Sequence, residues 1–311
     1  HAEVVALTEA GALARGATCY VNLAPCGHWG NTPPCAEALI QAGVARVVIA
    51  MADPNPLAES GLAQLHEAGI AVTLGVCEPA ARILNQGFVS RFTRRRPWVR
   101  AKIAGSLDGR TALSNGQSKW ITGPEAREFG HYLRARSGAI LTGINTILMD
   151  DPALSARVDK KVHDPMKVVL DTHGRLPKVA QIFQSPGRVC VATCSDSDFD
   201  PNNALVWRVS ANAAGRVDLT AVLALLADHG VNELLVEAGP TLLGQFIAED
   251  LVDELWYFMA PICLGEQARP LMHLPELRTL SNAKRYAAPR YTILGEDLCL
   301  VFERKECLQE S

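Results

Sequence analysis

The sequence predicts an α/β protein built as two domains. Three observations carry that reading. Apolar, β-like runs alternate with helical segments along most of the chain. The run Arg94-Arg95-Arg96-Pro97 interrupts the alternation with three like charges and a residue that biases its predecessor away from helix. A chain of 311 residues is long enough for about two domains, each able to bury its own core.

The elements follow in order. Residues His1 to Arg15 read as a helix, with apolar Val4, Val5, Leu7 and Leu13 and a stop at Gly16. Residues Ala17 to Leu23 read as a strand, followed by a Pro/Gly-rich loop from Ala24 to Pro34. A short helix from Cys35 to Ala42 ends at Gly43, and Ala45 to Ala50 form a buried strand. Asp53-Pro54-Asn55-Pro56 is a turn. Helix Ser60 to Ala68, strand Ile70 to Leu74 and helix Pro79 to Phe92 complete the first domain, residues 1–96. In the second domain, residues 97–311, strands are expected over Trp98 to Ala104, Ala139 to Thr142, Lys167 to Asp171, Arg188 to Thr193 and Glu233 to Glu237. Helices are expected over Pro124 to Ser137, Leu219 to His229 and Thr241 to Glu249. Such alternation means βαβ units and a largely parallel sheet. The segments Glu254 to Pro261 and Arg290 to Arg304 are strand-rich without a clear crossover helix, so antiparallel pairing is expected there.

Composition narrows the function classes. Hydrophobic residues make up 48% and charged residues 20%, which excludes a mainly disordered or collagen-like chain. The net charge of -3 disfavours a duplex-DNA binder that works by neutralising phosphates. No apolar run is long enough to span a bilayer, and the opening HAEVVALTEA has no signal-peptide pattern. Nine scattered Cys, an odd number, do not make a disulfide framework. A reducing cytoplasm is the expected location. The Arg94 to Arg96 run reads as a solvated connector, since no further basic cluster supports a nucleic-acid patch.

Two constellations carry chemistry. The first joins His1-Ala2-Glu3 to the loop PCGHWGNTPPC, in which Cys26 and Cys35 have eight residues between them. One His and two Cys supply three borderline-soft ligands and leave a fourth position for water. Zinc lowers the pKa of that water, and the resulting hydroxide attacks an amidine-type carbon. A nearby carboxylate, Glu3, takes the proton and passes it to departing ammonia, the logic of zinc nucleobase deaminases. Each part alone is weak; together, at a helix start and a loop-to-helix start after a strand, they are specific. His28 is a rival ligand, and Cys19, mid-strand, reads as core. The second constellation is the run Leu234 to Gly244, LLVEAGPTLLG, a strand, a Gly turn and a helix. Its helix start offers free N–H groups to a phosphate. Gln245-Phe246 stand where a Walker A loop needs Lys-Ser/Thr, so it is not that motif.

HAE, PCGHWGNTPPC, GVARVV and DPNP resemble the deaminase half of the bifunctional pyrimidine deaminase/reductases of bacterial riboflavin biosynthesis. AKIAGSLDGR, SKWIT, LRARSGAILTGINTILMDDPALSAR, VEAGPTLLG and VDELWYFMAPICLG resemble the reductase half, in the same order. The resemblance covers nearly the whole chain. It implies a cytidine-deaminase-like α/β/α domain followed by a dihydrofolate-reductase-like α/β domain, with Zn2+ and NADPH as cofactors. It implies hydrolytic deamination of a diaminopyrimidinone ribonucleotide, then reduction of the product's ribosyl side chain to ribityl. Carried over by position, His1, Cys26 and Cys35 bind zinc and Glu3 shuttles the proton. Ala104, Trp120, Thr146, Asp150, Thr172 and the run Gly239, Pro240, Thr241, Leu242, Leu243, Gly244 and Gln245 hold the cofactor. Ser118, Arg134, Leu154, Arg157 and Glu237 meet the substrate, and Lys102 approaches its ribose and polarises the carbonyl oxygen.

Arg forks suit the substrate's phosphate. A surface salt bridge for Arg134 and Arg157, a solvent-facing Lys102 and a core Trp120 are the plainer alternatives. The resemblance also implies a homo-oligomer without nucleic-acid or membrane partners. Two departures stand out. Ala24 replaces a Glu before Pro25-Cys26, and Gly27-His28 and Asn31 replace a Ser-His and a basic residue in the loop. The family's helix and strands before His-Ala-Glu are missing here, so the deaminase domain is expected to be incomplete at its start. A reductase with an impaired deaminase half, and a zinc deaminase acting on nucleic acid, are the rival readings.

Overall fold

The computed structural model describes residues 1–30, 32–58, 60–159, 163–195 and 204–305. Asn31, one of the loop departures, lies outside them. The chain divides into two compact units between Arg94 and Arg95. That is two residues before the expected boundary. The reason is that Arg96 belongs to the second unit, where its guanidinium donates to Asp253 Oδ1 at 2.8 Å and to Leu251 O at 3.1 Å.

The first unit begins with α1 (Ala2–Ala10), cut short of the expected length by Gly11 at φ 53°, after which Gly11–Ala14 form a 3-10 turn. Then come β1 (Thr18–Leu23), α2 (Cys35–Ala42), β2 (Arg46–Met51), α3 (Ser60–Glu67) and β3 (Ala71–Leu74). The three strands form a parallel sheet in the order β1-β2-β3. Val47 and Ile49 of β2 pack with Leu39 of α2, Leu65 of α3 and Leu7 of α1 in one apolar core. The expected helix from Pro79 to Phe92 is two helices, α4 (Glu78–Leu84) and α5 (Gln86–Arg94). The break is at Asn85, which leaves helical geometry at φ -103°, ψ 14° and caps α4 with both its backbone N–H and its side-chain amide on Ala81 O at 2.9 Å.

The second unit is built on a nine-stranded sheet. Its elements are β4 (Trp98–Ser106), β5 (Arg110–Ala112), α6 (Pro124–Arg136), β6 (Ala139–Gly143), α7 (Ile144–Asp150), β7 (Met166–Leu170), β8 (Val189–Thr193), β9 (Leu205–Arg208), α8 (Leu219–Asp228), β10 (Glu233–Val236), α9 (Pro240–Ala248), β11 (Glu254–Ala260), β12 (Arg269–Pro270), β13 (Arg290–Leu294) and β14 (Asp297–Glu303). The strand order is β13-β14-β11-β4-β10-β6-β7-β8-β9, and β5 pairs separately with β12. From β11 to β9 every pairing is parallel; β11 with β14 and β14 with β13 are antiparallel. Both faces are covered. Val99, Ala101 and Ile103 of β4 face α8 and α9 through Val222, Leu226, Leu243 and Phe246. Ile140, Val169, Val191 and Leu235 share the other core with Leu133 of α6 and Ile147 of α7. This double burial explains why these strands read as continuous apolar runs.

Candidate active sites

In the first unit β1 ends at Leu23, and Ala24 is buried in the core. The loop then turns back onto α3. A Cβ at Gly27 would lie 2.3 Å from Gly61 N, and one at Gly61 would lie 2.0 Å from Pro25 O, so both positions require Gly. This contact fixes Cys26. Ala36 N donates to Cys26 O at 3.1 Å and ties the loop to the start of α2, where Cys35 is the first residue. His1 Nδ1 is 2.9 Å from Cys35 Sγ and 3.7 Å from Cys26 Sγ. Ligand atoms of all three lie within 4.8 Å of one another, the only such His/Cys/Asp/Glu group among the described residues. His28 is outside it, and its charge acts on Asp53 instead. Cys19 packs against the apolar core.

Burial pushes the Cys35 thiol well above its usual range, and Glu3 and Cys26 push it further. Two thiols and a carboxylate in one pocket therefore call for a cation. The donor set, one imidazole and two thiols with a non-ligand carboxylate alongside, fits a zinc ion with an open position.

In the second unit β4 places Arg100, Lys102 and Ala104 on one face. Glu237 follows β10, the neighbouring strand. Arg134, on the last turn of α6, holds both Glu237 carboxylate oxygens at 2.7 Å, a bidentate pair. Arg134 also donates to Ser155 O at 3.2 Å. The pair is largely buried, so it is not a surface salt bridge. Burial pushes the Glu237 carboxyl up, but Arg134 outweighs it, with Lys102 helping, and the net is a fall to about 2. Lys102 is part-buried with its ammonium 5.3 Å from the Phe258 ring centre. Burial, then Arg134, lowers its pKa, while Glu237 acts against them. The solvent-facing alternative for Lys102 is thereby excluded. Arg157 reaches the same group through His131, whose Nε2 it meets at 3.0 Å. Lys102, Glu237, Arg134 and Arg157 thus converge from β4, β10, α6 and the loop after α7.

Of the expected cofactor residues, Ala104 lies near the carboxyl end of β4, Thr172 follows β7 and the Gly239 turn follows β10, where ligands bind in open α/β sheets, whereas Trp120 is in the loop between β5 and α6 and Asp150 ends α7. Gly143 caps α7 and Gly239 caps α9 without a side-chain cap, which leaves N–H groups free. Thr142 Oγ1 and Asp171 Oδ1, near the ends of β6 and β7, are buried without hydrogen-bond partners among the described residues. Thr172 follows Asp171, and Thr146 and Asp150 are on α7. Within the Gly239 to Gln245 run, Leu243 is core and Gly244 is pressed against the His273 carbonyl, so those two serve packing. Ala104 is part-buried against the α6-side core, and Ser118 is part-buried in the loop before Trp120.

Trp120 is 71% exposed with the Arg127 guanidinium 4.6 Å over its ring, so the plainer core alternative does not hold for it. One expectation is revised. Leu154 is 3% exposed, with φ 47°; its side chain belongs to the α6-side core and only its backbone is left to meet a substrate. Sequence reasoning passed over His131 and Arg127. The available signal for His131 was its spacing: it sits three residues before Arg134, on the same face of a helix.

Residues 97–299 match the family described as RibD C-terminal domain, and residues 1–51 match the cytidine and deoxycytidylate deaminase zinc-binding region. The chain is 42% identical to the riboflavin biosynthesis protein RibD of Escherichia coli (strain K12), over 96% of this chain and 85% of that one. The solved structure of Acinetobacter baumannii RibD, form 1, superposes with a TM-score of 0.89 at 40% identity, covering 97% and 85% of the two chains. The Thermotoga maritima diaminohydroxyphosphoribosylaminopyrimidine deaminase/5-amino-6-(5-phosphoribosylamino)uracil reductase superposes at 0.84 with 30% identity, covering 97% and 83%. Likeness of this extent to both halves of such proteins has one meaning: the chain belongs to the RibD family of riboflavin biosynthesis enzymes, which join a deaminase to a reductase.

Proposed function

We propose that residues 1–96 form a zinc-dependent hydrolytic deaminase acting on the diaminohydroxyphosphoribosylaminopyrimidine nucleotide named for the Thermotoga relative. Residues 97–311 then form an NADPH-dependent reductase of 5-amino-6-(5-phosphoribosylamino)uracil, which converts its ribosyl side chain to ribityl. The observation that carries this reading is the meeting of His1, Cys26 and Cys35 beside Glu3, in one chain with the Lys102–Glu237–Arg134 group. Zinc and NADPH are the cofactors. When bound, zinc acidifies a water at neutral pH and NADPH supplies the reducing electron pair.

His1, Cys26 and Cys35 hold the metal and leave one side open. Glu3 accepts a proton from water at its carboxylate and delivers it to the departing amine, which leaves as ammonia. In the reductase, the free N–H groups at Gly239 and Thr241 would hold the pyrophosphate of NADPH. Lys102, kept beside Glu237, directs an N–H at the carbonyl oxygen of the opened ribose and supplies the proton as reduction proceeds. Glu237 holds Lys102 and Arg134 in place, and Arg134 and Arg157 take the phosphate end. Ser118 and the Leu154 backbone close the substrate side, with Ala104, Trp120, Thr146, Asp150 and Thr172 along the cofactor.

The division of labour is supported by the unit boundary at Arg94–Arg95 and by the two family matches on either side of it. The chain acts on small molecules, and no described helix is long and apolar enough to cross a membrane. A homo-oligomer in a reducing cytoplasm, without nucleic acid, completes the proposal. Free thiols at eight described Cys and the net charge of -3 support its last two parts.

Metal analysis tests the deaminase half. The protein should carry about one zinc per chain and lose it in Cys26→Ser. Equal zinc in both proteins would refute the ligand set.

A further inference from the structure

His131 is unused by the mechanism above, yet it joins two of that mechanism's cations. It lies on α6 three residues before Arg134. Its Nδ1 is 3.2 Å from Ser155 O, the same carbonyl to which Arg134 donates. Its Nε2 is 3.3 Å from Arg157 Nε and 3.0 Å from Arg157 Nη2. A carbonyl can only accept and a guanidinium can only donate. The partners therefore assign the hydrogen to Nδ1 and the lone pair to Nε2. Only this neutral tautomer satisfies both neighbours. An imidazolium would turn an N–H and a positive charge toward Arg157. The Arg157 backbone N, 3.4 Å from Nδ1, is then a contact and not a hydrogen bond.

We propose that His131 is a positioning residue of the reductase site: as a neutral imidazole it holds the Arg157 guanidinium where the substrate's phosphate binds, and its protonation releases that guanidinium. The proposal rests on the reading of Arg157 as a phosphate contact. The charged groups facing the ring are Arg134 from its own helix, Arg157 from the loop after α7 and Glu237 from the end of β10. Burial and the two guanidiniums hold the ring's pKa below the usual histidine value; Ser155 O and Glu237 oppose them less strongly. Lys102 of β4 lies beyond, acting on Glu237 and Arg134.

The consequence has a definite kinetic form. Protonation breaks the Nε2 contact that holds Arg157, so it weakens binding of the phosphorylated substrate, and by linkage the bound substrate favours the neutral ring. Acid should therefore raise KM for the phosphorylated substrate and leave kcat and the KM for NADPH nearly flat. The phosphate's own second ionisation falls in the same range, so the comparison must be made between variants on one substrate.

The test is steady-state NADPH oxidation by the full chain on 5-amino-6-(5-phosphoribosylamino)uracil between about pH 5 and 8. His131→Ala should raise the substrate KM by roughly fivefold or more at neutral pH, with kcat within about twofold. His131→Gln offers a donor and an acceptor but does not titrate; it should recover much of that loss and flatten the acid limb seen in wild type. Arg157→Ala should raise KM at every pH. If Arg157→Ala leaves KM unchanged, the phosphate reading fails and the proposal with it. If Arg157→Ala raises KM while His131→Gln keeps the wild-type acid limb, or His131→Ala keeps the wild-type KM, the proposal alone is overturned.

Discussion

Glu237 sits just past the end of β10 with both carboxylate oxygens held by Arg134 and with Lys102 nearby. Its pKa of about 2 in the folded chain lies below the ordinary glutamate value of about 4.5, so it contributes stability above about pH 4.5 that is lost as pH falls toward 2. The contribution is on the order of 2–3 kcal/mol, discounted for partial exposure. Urea unfolding of the second unit followed across that window should show the loss, and Glu237→Gln should remove that part of the slope. An unchanged slope in the variant would contradict the assignment. A second residue-scale prediction concerns Arg100, 1% exposed, which bonds Glu254 at 2.9 Å on one neighbouring strand and Glu233 at 2.7 Å on the other. Arg100→Ala removes the buried cation between two carboxylates, leaving Glu254 to the Trp98 and Trp256 indoles and Glu233 to Arg136, and should cost roughly 3–5 kcal/mol in chemical denaturation.

At this scale the grouping of His1, Cys26 and Cys35 was legible because the three fall within the first 35 residues and in short motifs. His131 was not, because its role depends on Ser155 and Arg157 folding back from beyond β6. Leu154 was placed by resemblance as a substrate residue; only the packing around it shows that the side chain is core.

Among elements, the start of α9 separates packing from binding. Gly239 has φ -68°, open space around a built Cβ and no side-chain cap, so any residue fits its backbone. Asp is among the best N-caps, yet its charge opposes a phosphate. Gly239→Asp should therefore keep or raise Tm while weakening NADPH binding by about tenfold, read by cofactor fluorescence titration. Gly244→Ala should do the reverse in kind: a Cβ there would lie 1.9 Å from His273 O, and the overpacking should lower stability by roughly 1–3 kcal/mol. Equal NADPH binding by Gly239→Asp and wild type would remove this helix start from the cofactor site.

Most elements were legible from apolar period and Gly/Pro punctuation, and α2 begins and ends at the expected residues, Cys35 and Ala42. The single expected helix over Pro79 to Phe92 is broken at Asn85, whose backbone leaves helical geometry while its side chain bonds back to Ala81, a local capping choice that periodicity does not register. The seven-residue α7 and the three-residue β5 are too short to show a period. The antiparallel end was read from the lack of a crossover helix, and β13 and β14 do pair that way. That β11 lies parallel to β4 depends on the whole sheet order and no local pattern shows it.

For the whole molecule, two units with separate cores and separate constellations should fail separately. The two-domain organisation and the α/β class were readable from length and alternation. Which residues converge within each unit was not, since Lys102, Arg134, Arg157 and Glu237 come from four elements spread over much of the second unit. The central claim is that one chain first removes an amine with its metal site and then reduces the product with its second site. The most direct measurement follows ammonia and NADPH together, for wild type and Cys26→Ser, on each of the two nucleotides in turn. The account predicts that Cys26→Ser releases no ammonia from the diamino nucleotide and oxidises no NADPH with it, but oxidises NADPH normally on the uracil nucleotide. Wild-type ammonia release by Cys26→Ser, or loss of its NADPH oxidation on the uracil nucleotide, would contradict it.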